Sequence, residues 1–118
     1  MRKITDPENI VVMSWYPLGG KGRTGELLGN PIVAKTASKH GKSAAQVVLK
    51  WHVQMGFVVI PGSKNVDHIR DNVSIFDFAL DDEDMKAMAT LNVGARRYVR
   101  TDEALENFAN WKVNYEVE

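Results

Sequence analysis

The chain contains two short runs of mainly apolar residues, each bounded by residues that break regular structure. Residues 10–15 read Ile-Val-Val-Met-Ser-Trp, and residues 57–60 read Phe-Val-Val-Ile. Each run is rich in β-branched residues and is followed by a proline, Pro17 or Pro61. Continuous apolar runs with such boundaries are typical of strands that are covered on both faces. The pattern therefore predicts two buried strands.

Helical signals fill the stretch between these strands. The Asn-Pro pair at 30–31 predicts a helix start, with a capping asparagine and a proline at the first helical position, and Gly41 predicts its end. Ser43 and Gln46 form a capping box for a second helix, which ends at Gly56. Its apolar stripe consists of Val47, Val48, Trp51 and Met55.

Shorter helical patterns follow the second strand. One covers about residues 66–72, and Asp81 caps another helix whose first turn is acidic. In the mixed tail, residues 96–118, three apolar residues at helical spacing predict a final helix: Leu105, Phe108 and Trp111. The segment after the first strand is instead glycine-rich, and we predict a loop there that extends to Gly29.

The order strand, helices, strand, helices predicts an α/β fold. A connection of about 40 residues that contains helices implies that the two strands are parallel. Parallel strands need helices on both faces or closure into a barrel, and two strands alone leave two open edges. We therefore expect residues 1–118 to form a single partial domain, with the local features of a large α/β protein but only two βα units.

Composition narrows the range of functions. Basic and acidic residues number 15 each, so net charge favours neither a nucleic-acid nor a membrane partner. The absence of cysteine excludes disulfides and thiolate chemistry. No apolar run approaches the roughly 18 residues of a membrane span, and the N-terminus lacks a signal-peptide pattern. We expect a cytoplasmic protein.

The glycine-rich loop contains a formal G-x-G-x-x-G match at residues 20–25. A dinucleotide fingerprint needs its first glycine directly after the strand and a helix that opens on the third, and neither condition is predicted here. Two other interpretations stay open. One is a mobile loop, and the other is a flap over a ligand, to which Lys21 and Arg23 add charge. A P-loop is excluded, because no Gly-Lys-Ser/Thr occurs.

The junction after the second strand favours an anion. Its Pro-Gly-Ser sequence, residues 61–63, leads directly into a predicted helix start. There the amides of Ser63, Lys64 and Asn65 can point outward, and the helix dipole favours negative charge. The alternative is an ordinary turn with a solvated polar face. Trp15 ends the other strand, where parallel α/β folds place ligands, although core packing is an equal alternative for it.

The remaining titratable residues are assigned structural roles. His52 borders the apolar stripe and is expected to be a partly buried helix residue. His40 lies in the last turn of its helix, where a cation suits the dipole. The acidic run 81–84 is interpreted as a cap and a solvated first turn. No histidine has metal-ligand spacing, and no metal site is predicted.

Four segments, in order, resemble motifs of the aldo-keto reductase family. Residues 11–19 resemble its V-x-A-Y-S-P-L-G strand, and residues 60–72 resemble its I-P-K-S-x-x-x-x-R-I-x-E-N signature. Residues 40–47 are similar to the family's H-G-x-(S/T)-x-A-Q-V helix, and residues 76–85 to its F-D-F-x-L-(S/T)-x-E-(D/E)-M continuation. The resemblance covers about residues 10–98 and is specific, because several motifs match in order and spacing.

The resemblance implies part of a (β/α)8 TIM barrel, namely its seventh and eighth strands with their helices and the C-terminal tail. It implies NADP(H) as cofactor, with NAD(H) as the alternative. Trp15 then stacks on the nicotinamide ring, and Leu18 and Gly19 follow the pyrophosphate. Ser63 contacts the adenosine phosphate, and residues 71–72 contact adenine. The expected cofactor-binding residues are thus Trp15, Leu18, Gly19, Ser63, Lys64, His68, Asp71 and Asn72.

Among the positions that depart from the family pattern, three would lie near the phosphates of the cofactor. Gly62 stands where the signature has lysine, and His68 stands where it has arginine. Both positions usually face the 2′-phosphate that distinguishes NADPH from NADH, so the departures weaken that discrimination. Lys64 or Arg70 would partly restore it. Tyr16 replaces a serine beside the pyrophosphate.

The family's catalytic tetrad of Asp, Tyr, Lys and His lies on earlier strands, and no segment here matches those motifs. No catalytic role is therefore assigned to Tyr16, Tyr98 or His52. The expected function is NAD(P)H-dependent reduction of aldehydes and ketones when the barrel is complete, with this chain alone inactive. Its partners would be the cofactor, a small carbonyl substrate if complemented, and a second copy or partner chain at the strand edges.

One alternative function is a non-catalytic nucleotide-binding or assembly module, for example a truncated gene product. It would retain the cofactor site without turnover. The C-terminal aromatics Phe108 and Trp111 are candidates to line a substrate pocket, although helix packing is the favoured use of both.

Overall fold

The computed structural model describes residues 2–20, 22–94 and 101–112, and the elements below refer to these ranges. None of the helices within these ranges is long and apolar enough to cross a bilayer. In chain order the elements are α1 (Arg2–Thr5), β1 (Met13–Ser14), α2 (Thr24–Leu28), α3 (Pro31–His40), α4 (Ala44–Gln54), β2 (Val58–Val59), α5 (Val66–Val73), α6 (Asp82–Ala89) and α7 (Asp102–Ala109).

The two strands pair in parallel, as predicted from the long helical connection. Met13 lies opposite Val58, and Ser14 lies opposite Val59. One further bond extends the ladder, because the Val58 amide donates to the Val12 carbonyl at 3.0 Å. Each strand has only two paired residues, so the strands are much shorter than the apolar runs that predict them.

The prediction that these strands are buried on both faces is wrong. Along the first run, alternate side chains are exposed: Val11 by 68%, Met13 by 58% and Trp15 by 65%. Ile60 in the second run is exposed by 59%. In the described part of the chain, α4 packs against β2. Side chains of a strand alternate between its two faces, so one face of the first strand is covered and the other is exposed to solvent.

The main helices begin and end where the sequence predicts. The Asn30 side chain accepts a hydrogen bond from the Ile32 amide at 3.0 Å, and Gly41 ends α3 with a φ of 61°. At the start of α4 both bonds of the capping box are present. The Gln46 amide donates to Ser43 Oγ at 3.2 Å, and the Ser43 amide donates to Gln46 Oε1 at 3.0 Å.

The hydrophobic core lies between the helices rather than on the sheet. Val33 and Val47 are fully buried where α3 meets α4. Each such side chain contributes roughly 1.5–3 kcal/mol relative to an exposed position. The buried cluster comprises Val33, Ala37, Val47, Val48, Leu80 and Met88.

The segment that is predicted to be a glycine-rich loop contains a helix, α2. α2 begins at Thr24 and includes Gly25, although glycine inside a helix costs about 1 kcal/mol relative to alanine. Leu27 and Leu28 pack against the core cluster, and this burial outweighs the poor local propensity. The prediction of a loop through Gly29 is therefore wrong for the last third of that segment.

The later helices agree with the predictions. α5 extends one residue beyond the predicted range, and Asp81 caps α6 with a reciprocal capping box to Asp84. α7 includes Leu105 and Phe108 but ends before Trp111. The parts of the mixed tail at 95–100 and 113–118, and Lys21 in the glycine segment, lie outside the described residues.

Candidate functional site

A cleft of about 540 Å³ opens where the chain leaves the two strands. Its walls are the loop after β1 (residues 16–20), the first turn of α4 (residues 43–45) and the junction after β2 (residues 60–63). α5 completes it with His68 and residues 71–72. The carboxyl ends of parallel strands are where α/β folds place ligands, and this volume falls within the roughly 300–1,000 Å³ of small-molecule sites.

Most of the predicted site residues meet at this cleft. Five of the eight line it: Leu18, Ser63, His68, Asp71 and Asn72. Trp15 lies beside it, with its ring 4.4 Å from the ring of Tyr16, which is part of the wall. Gly19 lies within the loop that forms one wall, and Lys64 is exposed beyond the lining. The two predicted motifs, residues 11–19 and 60–72, thus converge on one site.

The loop after β1 depends on an unusual backbone. Tyr16 has a φ of 53°, which is uncommon for a bulky residue, and Gly19 and Gly20 have φ values of 95° and 73°. The Gly19 amide donates to the Tyr16 carbonyl at 2.9 Å and closes the turn. A Cβ at Gly20 would lie 3.2 Å from Cγ of the Tyr16 ring. Glycine is therefore required here both by conformation and by the close approach of the ring.

At the start of α5, local side chains accept hydrogen bonds from backbone amides that were predicted to point outward. The Asn65 side chain accepts from the amides of Asp67 at 2.8 Å and His68 at 3.4 Å. The Asn65 amide donates to Ser63 Oγ at 3.1 Å instead of pointing outward. The expected outward amide of Asn65 is thus a wrong prediction, because short polar side chains cap this turn locally.

The charges around the cleft are mixed. His68 and Asp71 both contribute to the lining, while Lys64 lies outside it. Arg70, which the sequence offered as a replacement cation, donates to Asp67 at 3.2 Å and is largely exposed. At Gly62, a Cβ would meet no atom within 4 Å, so the wall has open space where a longer side chain would fit.

Several lining groups were not identified from the sequence. Thr24 lines the cleft while donating its hydroxyl to the Gly20 carbonyl at 3.0 Å. The first turn of α4, residues 43–45, faces the cleft as well. The capping box located that turn in the sequence, but the packing of α4 against α5 and β2 decides what it faces.

His52 has the structural role that was predicted. Its ring is partly buried, and Nδ1 lies 2.8 Å from the Val48 carbonyl one turn earlier in α4. Burial lowers the pKa of His52, and the hydrogen bond to Val48 opposes that effect. The side chain lies away from the cleft lining.

The acidic run at the start of α6 is not fully solvated. Asp84 is buried, and its carboxylate lies 2.7 Å from His40 Nε2 and 3.0 Å from Lys39 Nζ. Burial raises the pKa of Asp84, but the hydrogen bonds from His40 and Lys39 outweigh it, so the pKa is lowered overall. The interpretation of this run as a solvated first turn is therefore wrong for Asp84. Within 2–20, 22–94 and 101–112, no three His, Cys, Asp or Glu side chains could together hold a metal ion.

An aromatic group extends from the first strand to the last helix. The ring of Phe108 in α7 lies 6.4 Å from that of Trp15, and Trp111 lies 6.5 Å from Phe108. Phe108 and Trp111 remain 47% and 68% exposed. Phe108 therefore packs beside Trp15 and Trp111 beside Phe108, and neither belongs to the helical core.

Comparisons with known proteins agree with the motifs. The family model described as Aldo/keto reductase family matches residues 1–93. An aldo-keto reductase of Mycolicibacterium smegmatis is 38% identical over 96 residues, which is 81% of this chain and 34% of the relative. The chain thus spans about a third of the length of the curated relatives it matches.

Solved structures agree in fold. An aldo-keto reductase from a Medee basin deep-sea metagenome library matches with a TM-score of 0.79 and 32% identity, covering 97% of this chain and 38% of that chain. A mutant of Gox0644 in complex with NADPH matches with a TM-score of 0.74 and 38% identity, covering 83% and 35%. The fold is therefore an α/β fragment of the barrel seen in these enzymes. The chain belongs to the aldo/keto reductase family, whose members bind a nicotinamide cofactor.

Proposed function

We propose that this chain carries the cofactor-binding part of an NAD(P)H-dependent oxidoreductase, which reduces aldehydes or ketones to alcohols when its barrel is complete. The observation that carries the proposal is the convergence of residues 16–20 and 60–72 on one cleft at the carboxyl ends of parallel strands. In this proposal the two βα units are the seventh and eighth of the barrel.

The residue roles follow the order of groups along a dinucleotide. Trp15 stacks on the nicotinamide ring, and the backbone of residues 18–19 follows the pyrophosphate. Ser63 binds the adenosine phosphate, with Lys64 and His68 nearby. Asp71 and Asn72 contact adenine. The lining supports the second role, because Leu18 and Gly20, on either side of Gly19, both line the cleft.

The residues present suit a dinucleotide with weakened 2′-phosphate recognition. NADP(H) is the proposed cofactor and NAD(H) is the alternative, since Gly62 provides no cation and leaves open space. When bound, the cofactor supplies the hydride. The chain's own contribution is to hold the ring against Trp15 and the phosphates near Ser63 and His68.

We further propose that the chain alone does not turn over substrate. The family's catalytic tetrad has no counterpart among its motifs, so proton donation to a carbonyl must come from another part of a complete barrel. The exposed face of the first strand supports an assembly role, because Val11 and Met13 present apolar surface that a neighbouring layer would cover. A small carbonyl substrate would bind only after such complementation.

Fluorescence and turnover together test this function. NADPH is titrated into the purified chain while tryptophan emission is followed, and loss of cofactor absorbance is then measured with an aromatic aldehyde. Saturable quenching without turnover is expected. Trp15→Phe should remove most of the quenching, whereas Trp51→Phe, which alters a tryptophan packed against the core, should preserve it.

The two parts of the proposal fail in different ways. An absence of quenching in the unsubstituted chain at millimolar NADPH would contradict the cofactor site. Aldehyde-dependent oxidation of NADPH by the chain would contradict its proposed lack of catalytic residues. Quenching that Trp15→Phe leaves unchanged would contradict the stacking role alone.

A further inference from the structure

Gln46 is a buried polar residue directly behind the cleft wall. It belongs to the first turn of α4, next to residues 43–45, which line the cleft, and it is only 7% exposed. Its Oε1 accepts from the Ser43 amide at 3.0 Å, as the capping box requires. Its Nε2 is not needed for that box and points instead to another helix.

That nitrogen binds the end of α5. Gln46 Nε2 donates to the Asp71 carbonyl at 3.2 Å and to the Ser74 carbonyl at 2.9 Å. The last carbonyls of a helix have no amide one turn ahead within it, and the Asp71 carbonyl also accepts from the Ser74 amide at 3.1 Å. The Gln46 side chain thus adds to the C-terminal cap of α5. α5 has no buried residue of its own. Its position against α4 therefore depends strongly on polar contacts of this kind.

The consequence for the cleft is direct. Asp71 and Asn72 line the cleft from α5, and residues 43–45 line it from α4. Gln46 connects the two walls through one side chain while touching neither the cleft nor a ligand position in it. A shift of α5 would move the adenine contacts relative to the phosphate end of the site.

We propose that Gln46 is a positioning residue that sets the distance between the α4 and α5 walls of the cleft, an inference that rests on the proposed cofactor site. Its two functions are separable. The Oε1 atom completes the cap of α4, and the Nε2 atom holds α5 in place for binding of the adenosine half of the cofactor.

Gln54 provides a matched control in the same helix. Its Nε2 donates to the Leu80 carbonyl at 2.9 Å, and its Oε1 accepts from the Leu80 amide at 2.7 Å. It therefore also uses an amide side chain to hold the segment after β2. Gln54 and Leu80 are not part of the cleft lining. Loss of this clamp should affect stability without moving the cleft walls.

The experiment compares Gln46→Glu, Gln46→Met and Gln54→Glu. Glutamate retains the acceptor of the capping box but has no donor for the α5 carbonyls, and methionine removes both without adding charge. Hydrogen exchange of α5 amides and NADPH affinity are measured for each variant. Both Gln46 variants should exchange α5 amides about tenfold faster and bind NADPH about tenfold more weakly, the effect of losing roughly one net hydrogen bond.

The control separates positioning from general destabilisation. Gln54→Glu removes the donor to the Leu80 carbonyl while keeping an acceptor for the Leu80 amide. It should therefore lower the melting temperature but leave NADPH affinity within about twofold. Equal losses of affinity in the Gln46 and Gln54 variants would overturn the proposal, as would unchanged α5 exchange in both Gln46 variants. If the unsubstituted chain does not bind NADPH, the cofactor site fails, and α5 exchange still decides whether Gln46 holds the wall.

Discussion

At the scale of single residues, Gly62 best shows how one side chain shapes the candidate site. It follows Pro61 in the wall of the cleft, and a Cβ there meets no atom within 4 Å. Its backbone is not in the left-handed region that would restrict substitution. The missing cation is therefore a property of this residue type and not of the space around it.

Gly62→Lys should restore discrimination for the 2′-phosphate. The new ammonium would lie in open space on the wall, and hydrogen bonds between charged groups contribute about 1.5–3 kcal/mol. We expect NADPH to bind about tenfold or more tightly, with NADH little changed. Fluorescence titration of both cofactors measures the ratio. Gly62→Gln, of similar reach but neutral, is the control, and an equal gain for NADH would refute the assignment.

His52 makes folding stability depend on pH. Its pKa in the folded chain is lowered from 6.5 by burial, so the unfolded state takes up a proton at higher pH than the folded state. Stability is therefore full above pH 6.5 and declines as pH falls below it. His52→Gln should reduce this decline in urea unfolding measured from pH 7.5 to 5. If the free energy of unfolding of the variant falls as steeply with pH as that of the unsubstituted chain, groups other than His52 cause the dependence.

At the scale of elements, capping residues explain why the helix boundaries were predictable. The side chains of Ser43 and Asp81 each accept a hydrogen bond from the amide three residues ahead. In return, the Ser43 and Asp81 amides donate to the side chain of that same later residue. Such contacts are local in sequence and independent of the rest of the fold. The strands had no comparable local determinant. The length and burial of a strand depend on the strands and helices packed beside it. In this chain each strand has two paired residues.

The ion pairs between α3 and α6 predict sensitivity to acid. The hydrogen bond from Lys39, aided by the Asp84 amide, lowers the pKa of Asp81 from 3.8 to about 2. The ionised form is thus favoured in the folded state, and this stabilisation is complete above pH 3.8 and lost as pH falls toward 2. Asp84 acts in the same direction, since its pKa is also lowered.

Lys39→Met should reduce the loss of folding stability that occurs as pH falls from 4.5 to 2. Removal of the ammonium lets the pKa of Asp81 rise toward its ordinary value, so unfolding curves between pH 4.5 and 2 should differ less from one another. Because Lys39 and Asp81 are exposed, salt at 1 M should reproduce part of the effect in the unsubstituted chain. A variant with an unchanged acid profile would show that the pair is not coupled to folding.

At the scale of the whole molecule, the chain has more surface than its size requires. Its accessible area is 9411 Å², whereas a compact monomer of 13.2 kDa exposes about 6,400 Å². Its radius of gyration is 16.3 Å, compared with about 13.5 Å for a compact domain of this length. Both differences are consistent with a fragment of a barrel, whose strands lack the layer that would cover them.

We expect the isolated chain to associate through the exposed strand face. Light scattering should give a mass above 13.2 kDa at micromolar concentration. Met13→Lys places a charge on that face and should shift the mass toward the monomer, because association would bury an unpaired charge. Ala89→Lys adds the same charge on the exposed surface of α6 and should not. A tight monomer in the unsubstituted chain would contradict the expectation.

The features that depend on local chemistry could be predicted from the amino-acid sequence. Helix caps, the order of elements and the parallel strands follow from residues within a few positions of one another or from connection length. The family motifs identified five of the residues that line the cleft, because motif spacing records which backbone positions face it. Gly62 and His68 were likewise recognisable as departures without any structure.

Tertiary structure decided what depends on contacts between distant segments. α2 forms in a glycine-rich stretch because Leu27 and Leu28 reach the core. Asp84 is buried because α3 places His40 against it. One face of the strands is exposed because no layer of the described chain covers it. Apolar side chains favour burial, but burial also requires a second layer of structure to pack against them.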